Sequence, residues 1–167
     1  ILDGRPVLLT LPVMLHTYVA HRELIIERRA QFDLDKAQAR AHILEGLLIA
    51  QDRIDEIVAV GKASSSREQF EAVLQGNETM PGIAAFSCTE PQAKAIAERR
   101  LYQLSSLDVD KVQNEFQELQ LRIADLQDII ASRTRRLSIL LAELDEMVER
   151  HGDERRSIID PIPLSMD

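Results

Sequence analysis

The chain has 167 residues, a formal net charge of −8, 4% aromatic residues with no Trp, and 29% charged residues. That length suits one domain of ordinary size. The acidic balance argues against an independent, tight nucleic-acid binder. A single cysteine excludes an internal disulfide, and no apolar run approaches membrane-spanning length.

Abundant Ala, Leu, Ile, Glu, Gln and Arg, with only six glycines and six prolines, is the composition of long helices packed through aliphatic seams. The fold class expected is all-α. The opening Ile1, where a starting Met would stand, points to a piece cut from a longer polypeptide, with residues 1–10 as a severed connection.

The first expected arm covers residues 11–61. Thr10 can cap its start, and Pro12 is tolerated in the first turn. Tyr18, Ile25, Phe32 and Ala39 recur every seven residues, with Arg22, Arg29 and Lys36 in the alternate slots of that seam. After Ile43 the stripe shifts phase and continues as Leu47, Ala50, Ile54 and Ile57, a stutter that locally unwinds a supercoil. Gly61 is expected to end the helix.

Residues 62–108 are too long for a turn and carry helices of their own. Ser65 with Glu68 reads as a capping box ahead of REQFEAVLQ, which stops at Gly76. Thr89 with Gln92 reads as a second, ahead of PQAKAIAERRLYQL. There Ala93, Ile96, Ala97, Leu101 and Leu104 share one face. The segment is expected to form a small helical knob.

The second arm, residues 109–151, has the cleanest signal. Val112, Phe116, Leu119, Ile123, Leu126 and Ile130, then Leu137, Leu140, Leu144 and Met147, keep a heptad register with one polar intruder, Arg133. Gly152, after Arg150 and His151, is a helix stop. At helical rise such a segment is a rod of about 65 Å.

Two arms of matched length predict a long antiparallel coiled-coil hairpin with the knob at its tip. Arg22, Arg28 and Arg29 would then lie beside Glu143, Asp145, Glu146 and Glu149, and Arg133 near Asp33 and Asp35. Residues 152–167 form an exit linker.

The chemical candidates are sparse. His42 and Glu45, three apart in RAHILEGLLIA, have a spacing used in metal sites, but the facing arm offers no second Glu-x-x-His. His16 and His21 lack the glutamate of a zinc-protease helix. Cys88 has no neighbouring base, and Tyr18 falls on the seam. Gly46 costs about 1 kcal/mol against Ala inside a helix, which points to close approach of the partner helix near Phe116. Arg155 and Arg156 in DERRS could touch phosphates, but read more simply as a solvated linker. No catalytic, cofactor-binding or metal residues are expected in this chain.

With the elements placed, a family resemblance stands out. The stretch YVAHRELIIERRAQFDLDKAQARAHILEGLLIAQDRIDEIV resembles the first long helix of the cleavage subunit of bacterial type IIA DNA topoisomerases, the gyrase A and topoisomerase IV A family. QAKAIAERRLYQLSSLDVDKVQNEFQEL resembles the return through the knob, and GDERRSII the exit from the coiled coil. The segment from Arg67 to Phe86 matches less well, and Ser105-Ser106 stands where the family commonly has Thr-Gly.

The resemblance implies an exit gate, or C-gate. The knob meets its symmetry mate, holding the subunit dimer together and releasing the transported duplex during ATP-dependent changes of DNA topology. The self-complementary patch that such a two-fold homodimer contact requires is placed on Phe86, Ala95, Arg99, Tyr102 and Gln103. The resemblance also implies an ATPase B subunit, DNA bound by a core outside this chain, Mg and ATP for the parent complex, and a bacterial cytoplasmic, nucleoid-associated location. The family's nucleophilic tyrosine and metal-binding acids have no match here. Two other readings of the same residues stand beside it: a passive structural coiled-coil spacer or adaptor with a partner-binding knob, and a nucleic-acid-gripping arm of the tRNA-synthetase sort, which the acidic second arm disfavours.

Overall fold

A computed structural model describes residues 4–80, 85–98 and 106–157. The protein is all-α, with six helices and no strand among the described residues: α1 (Leu11–Asp52), α2 (Ile54–Ala63), α3 (Arg67–Leu74), α4 (Glu90–Glu98), α5 (Ser106–Ala131) and α6 (Arg133–His151). The chain divides into two compact units, Ile1–Ile26 with Ser132–Asp167, and Glu27–Ala131.

Helix α1 starts where expected: the Thr10 carbonyl accepts the Met14 N–H at 3.0 Å, and Pro12 sits in the first turn, where its missing donor costs nothing. Its buried face is not the expected one. Tyr18 and Phe32 are exposed, Ala39 is exposed, and Lys36 lies over the Phe32 ring. The buried positions are instead Ile26, Ala30, Leu34, Ala37, Ala41, Leu44, Leu47 and Ala50. Alanine at four of these lets a neighbouring backbone approach closely, which the large side chains of the other stripe would prevent. Leu47, Ala50 and Ile57 are buried as the shifted stripe predicted.

Arg53, at φ −116° and ψ 35°, separates α1 from α2. Gly61 does not end the helix. It lies inside α2, which stops when Ser64 turns extended and directs both its N–H and its hydroxyl to the Val60 carbonyl, at 2.9 and 2.7 Å. The cap of α3 is displaced by one residue from the expected Ser65. Ser66 Oγ accepts the Gln69 N–H at 3.2 Å, and Gln69 Oε1 accepts the Ser65 N–H at 2.8 Å.

The α5–α6 region is two helices rather than one. Ser132 leaves the helical region at φ −108° and ψ 111°, and its hydroxyl caps the new helix by accepting the Arg135 N–H at 3.3 Å. No apolar residue stands between Ala131 and Leu137, so no seam contact opposes the break. Helix α6 ends ahead of Gly152, as expected.

In the first unit, residues of α1 and α6 are linked by the ion pair Arg22–Glu143 and by Arg133, whose Nε and an Nη donate to the Glu23 carboxylate at 2.9 and 3.2 Å. Arg22–Glu143 follows the expected charge pattern. Arg133 does not: its partner is Glu23, while Asp35 accepts from Gln31 and Asp33 lies 3.8 Å from Arg122.

The Arg133 guanidinium holds the Glu23 carboxyl below its ordinary value. A carboxylate lowered on folding contributes stability above its unfolded pKa and loses it as the pH falls through the folded one. Glu23→Gln is therefore expected to lower Tm modestly at pH 7, with the gap to the parent narrowing as the pH falls below the ordinary carboxylate range, by thermal melts from pH 7 downward.

In the second unit, α1 and α5 run antiparallel: Asp33 faces Arg122, and Arg40, further along α1, forks onto Glu115 at 2.7 and 3.0 Å, nearer the start of α5. The core gathers Leu44, Leu47 and Ala50 from α1, Ile57 and Val60 from α2, and Val73 and Leu74 from α3. Phe86, Cys88, Ala93 and Ile96 from the α4 region and Val112 from α5 complete it. Leu44, Val60 and Leu74 are fully enclosed, each contributing about 1.5–3 kcal/mol by removal from water.

Candidate functional site

The residues that hold α4 against α1 and α2 form the most organised polar cluster of the second unit. Its origin is the capping box read from sequence: Gln92 Oε1 accepts the Thr89 N–H at 3.0 Å. That fixes the amide's orientation, so Gln92 Nε2 points at α1. It donates to the His42 carbonyl at 2.8 Å and stands 3.4 Å from His42 Nδ1. The other ring nitrogen, Nε2, stands 2.7 Å from Thr89 Oγ, so the ring is engaged on both sides by α4.

Gln92 is only 5% exposed, and both ends of its amide are satisfied, the condition for burying such a group without net cost. Room for it comes from Gly46. A β-carbon there would stand 2.6 Å from Cγ and 2.7 Å from Cβ of Gln92. The glycine in RAHILEGLLIA thus admits a side chain of α4, where the expectation had been the partner helix near Phe116.

A second tie lies at the α1–α2 break. The Arg53 guanidinium stands 3.8 Å from the centre of the Phe86 ring, donates to the Ala85 carbonyl at 3.3 Å, and forks onto the Glu56 carboxylate. On the other side, the Cys88 N–H donates to the Leu74 carbonyl at 3.0 Å. Residues 85–88 therefore enter α4 gripped from two directions.

The expected site residues fall as follows. Phe86 is 3% exposed and belongs to the core, so its ring is not on a contact face: it lies under the Arg53 guanidinium, while its backbone carbonyl faces the Gly76 turn. Ala95 is half-buried on α4, between exposed Lys94 and buried Ile96. Arg99, Tyr102 and Gln103 lie outside the described residues.

His42 and Glu45 come within 3.8 Å of one another, but His42 is engaged by Thr89 and Gln92. Among the described residues no three His, Cys, Asp or Glu side chains stand close enough to hold a metal ion, and no helix is long and apolar enough to cross a membrane. Burial pushes the Cys88 thiol above its ordinary pKa, partly offset by Arg53, which keeps it protonated and unreactive.

Sequence reasoning missed Gln92's second role and Arg53 altogether. For Gln92 the signal was available, since a glycine in a helix interior marks close approach. Arg53 offered none.

The cluster braces α4 against α1 through Gln92, Thr89 and His42. Residues 1–145 match the family model for the A subunit of DNA gyrase/topoisomerase IV. The chain is 43% identical over 159 residues to the DNA gyrase A subunit of Fibrobacter succinogenes, covering 95% of this chain and 17% of that protein. It is 41% identical over 159 residues to that of Leptospira biflexa, covering 95% and 18%. Against that of Streptococcus pneumoniae the figures are 41% over 155 residues, 93% and 18%. It thus spans less than a fifth of the length of these relatives. With a family match across most of its residues and such identity along nearly all of them, the chain belongs to the A-subunit family of DNA gyrase and topoisomerase IV.

Proposed function

We propose that this chain is the exit-gate region of a type II DNA topoisomerase A subunit. The outer surface of α4 and the residues after it, Ala95, Arg99, Tyr102 and Gln103, meet the same surface of a second copy. The parent enzyme changes DNA topology with ATP and Mg, together with an ATPase B subunit, in the bacterial cytoplasm. DNA cleavage belongs to parts of the parent protein outside this chain, and no chemical step is assigned to the residues described.

The observation that carries this reading is the identity to gyrase A subunits along nearly the whole chain, over a segment whose described residues build a braced helical unit and no reactive centre. A closing two-fold contact needs a self-complementary face held in fixed orientation. It must also be small enough to open in each cycle. The anchoring of α4 through Gln92, and of its lead-in through Phe86, supports the fixed orientation.

Ala95→Cys in the full-length protein, assembled with its ATPase partner, tests the reading. Oxidation is expected to join the two copies covalently and to stop release of the transported duplex, and reduction to restore it. Normal strand passage and release with the copies joined would reject the gate and leave a passive spacer.

A further inference from the structure

We infer that Arg53 is the positioning residue of the self-contact: without touching the second copy, it sets the orientation in which α4 is presented. The inference rests on the gate reading above.

Arg53 sits at the one non-helical residue between α1 and α2, yet the backbone ladder is almost continuous across it. Its N–H reaches the Ile49 carbonyl at 3.3 Å, and its carbonyl takes the Ile57 N–H at 3.0 Å. Neither Gly nor Pro causes the break. What distinguishes the position is its side chain, which makes three different kinds of contact at once: a ring face, a backbone carbonyl and a carboxylate.

Only a planar, forked cation meets these together. A lysine supplies the charge for Glu56 but cannot also lie flat on Phe86 and reach Ala85. Two of the three contacts, the Phe86 ring and the Ala85 carbonyl, fall on residues 85–88, the lead-in to α4, while the third ties the guanidinium to Glu56 on α2. The opposite side of that stretch is held by the α3 end, through Leu74 and the Gly76 turn. The side chain therefore converts the direction of the α1–α2 break into the direction of α4. In a two-fold contact any tilt of α4 occurs in both copies, so a small error within one protomer is doubled across the interface.

The test uses the full-length, assembled enzyme carrying Ala95→Cys, with Arg53 intact or replaced by Lys, Gln or Ala. The readouts are the rate of disulfide formation between the two introduced thiols, strand passage, DNA cleavage and thermal unfolding. With Arg53→Lys, disulfide formation and strand passage are expected to fall about tenfold, while cleavage and the unfolding temperature stay at the parent values. Arg53→Gln and Arg53→Ala should be no better than Lys in disulfide formation.

If Arg53→Lys cross-links as fast as the parent, any cation suffices and the positioning role is wrong. If disulfide formation falls only in step with the unfolding temperature across the series, Arg53 is merely structural and the inference also fails. If the enzyme with Arg53 intact does not cross-link at all, the gate reading has failed first, and this inference goes with it.

Discussion

Replacing Gly76 with alanine is expected to lower the unfolding free energy of the protein by about 2–4 kcal/mol, measured by denaturant titration. Gly76 has φ +77° and closes α3. Its N–H bonds to the Val73 carbonyl at 3.0 Å and the Asn77 N–H to the Ala72 carbonyl at 2.9 Å, the paired arrangement of a Schellman stop. A side chain in that left-handed region costs about 1–2 kcal/mol.

The second part of the cost is steric. A β-carbon would stand 2.7 Å from the Phe86 carbonyl oxygen, an atom of a backbone segment pinned by Arg53 and Leu74. Gly76→Asn separates the two parts, since asparagine tolerates the left-handed region but carries the same β-carbon. It should recover part of the loss and no more. A Gly76→Ala change below about 1 kcal/mol would mean that neither the turn nor the close approach is real.

Gly46→Ala is the second large effect, and here the sign is the test. Helix propensity alone predicts a gain of about 1 kcal/mol, because Gly46 lies within α1. The contact with Gln92 predicts a loss: the added carbon meets both Cγ and Cβ of that side chain, and Cβ cannot move unless α4 moves. Shifting α4 also loosens the bonds that cross to α1, from Gln92 to the His42 carbonyl and between Thr89 and the His42 ring. A net destabilisation of about 2 kcal/mol is expected.

The double variant with Gln92→Ala should be less destabilised than the sum of the single changes, with a coupling of about 1 kcal/mol, because removing Cγ relieves one of the two overlaps. A stabilised Gly46→Ala protein would show that α4 does not approach α1 there.

Much of the candidate site was present in the order of residues, but not its connections. Thr89 and Gln92 were legible as a capping pair because capping is local: the atoms that meet are three residues apart. That the same amide also crosses to His42 was not legible, since the two lie fifty residues apart and only packing brings them together. Phe86 shows the opposite failure. It was expected in the patch that meets a second copy, whereas its ring is buried in the core against the Arg53 guanidinium.

The sequence by itself determined the helical class, the starts of α1 and α4, the stops at Gly76 and Gly152, and the buried positions Val112, Leu126 and Leu140 of the second-arm stripe. Each depends on caps, glycine conformation or a three-four spacing of apolar groups, which act within one or two turns. Met147 of that stripe is instead exposed, and Ile129 is buried outside the expected register. Only the tertiary structure decided which face of α1 turns inward. Two apolar stripes compete there, and packing chose the alanine-rich one because it admits a neighbour closely, leaving Tyr18 and Phe32 exposed. It also placed the breaks at Arg53 and Ser132 and joined Gly46 to Gln92. These depend on contacts between distant residues, whose energies no local pattern records.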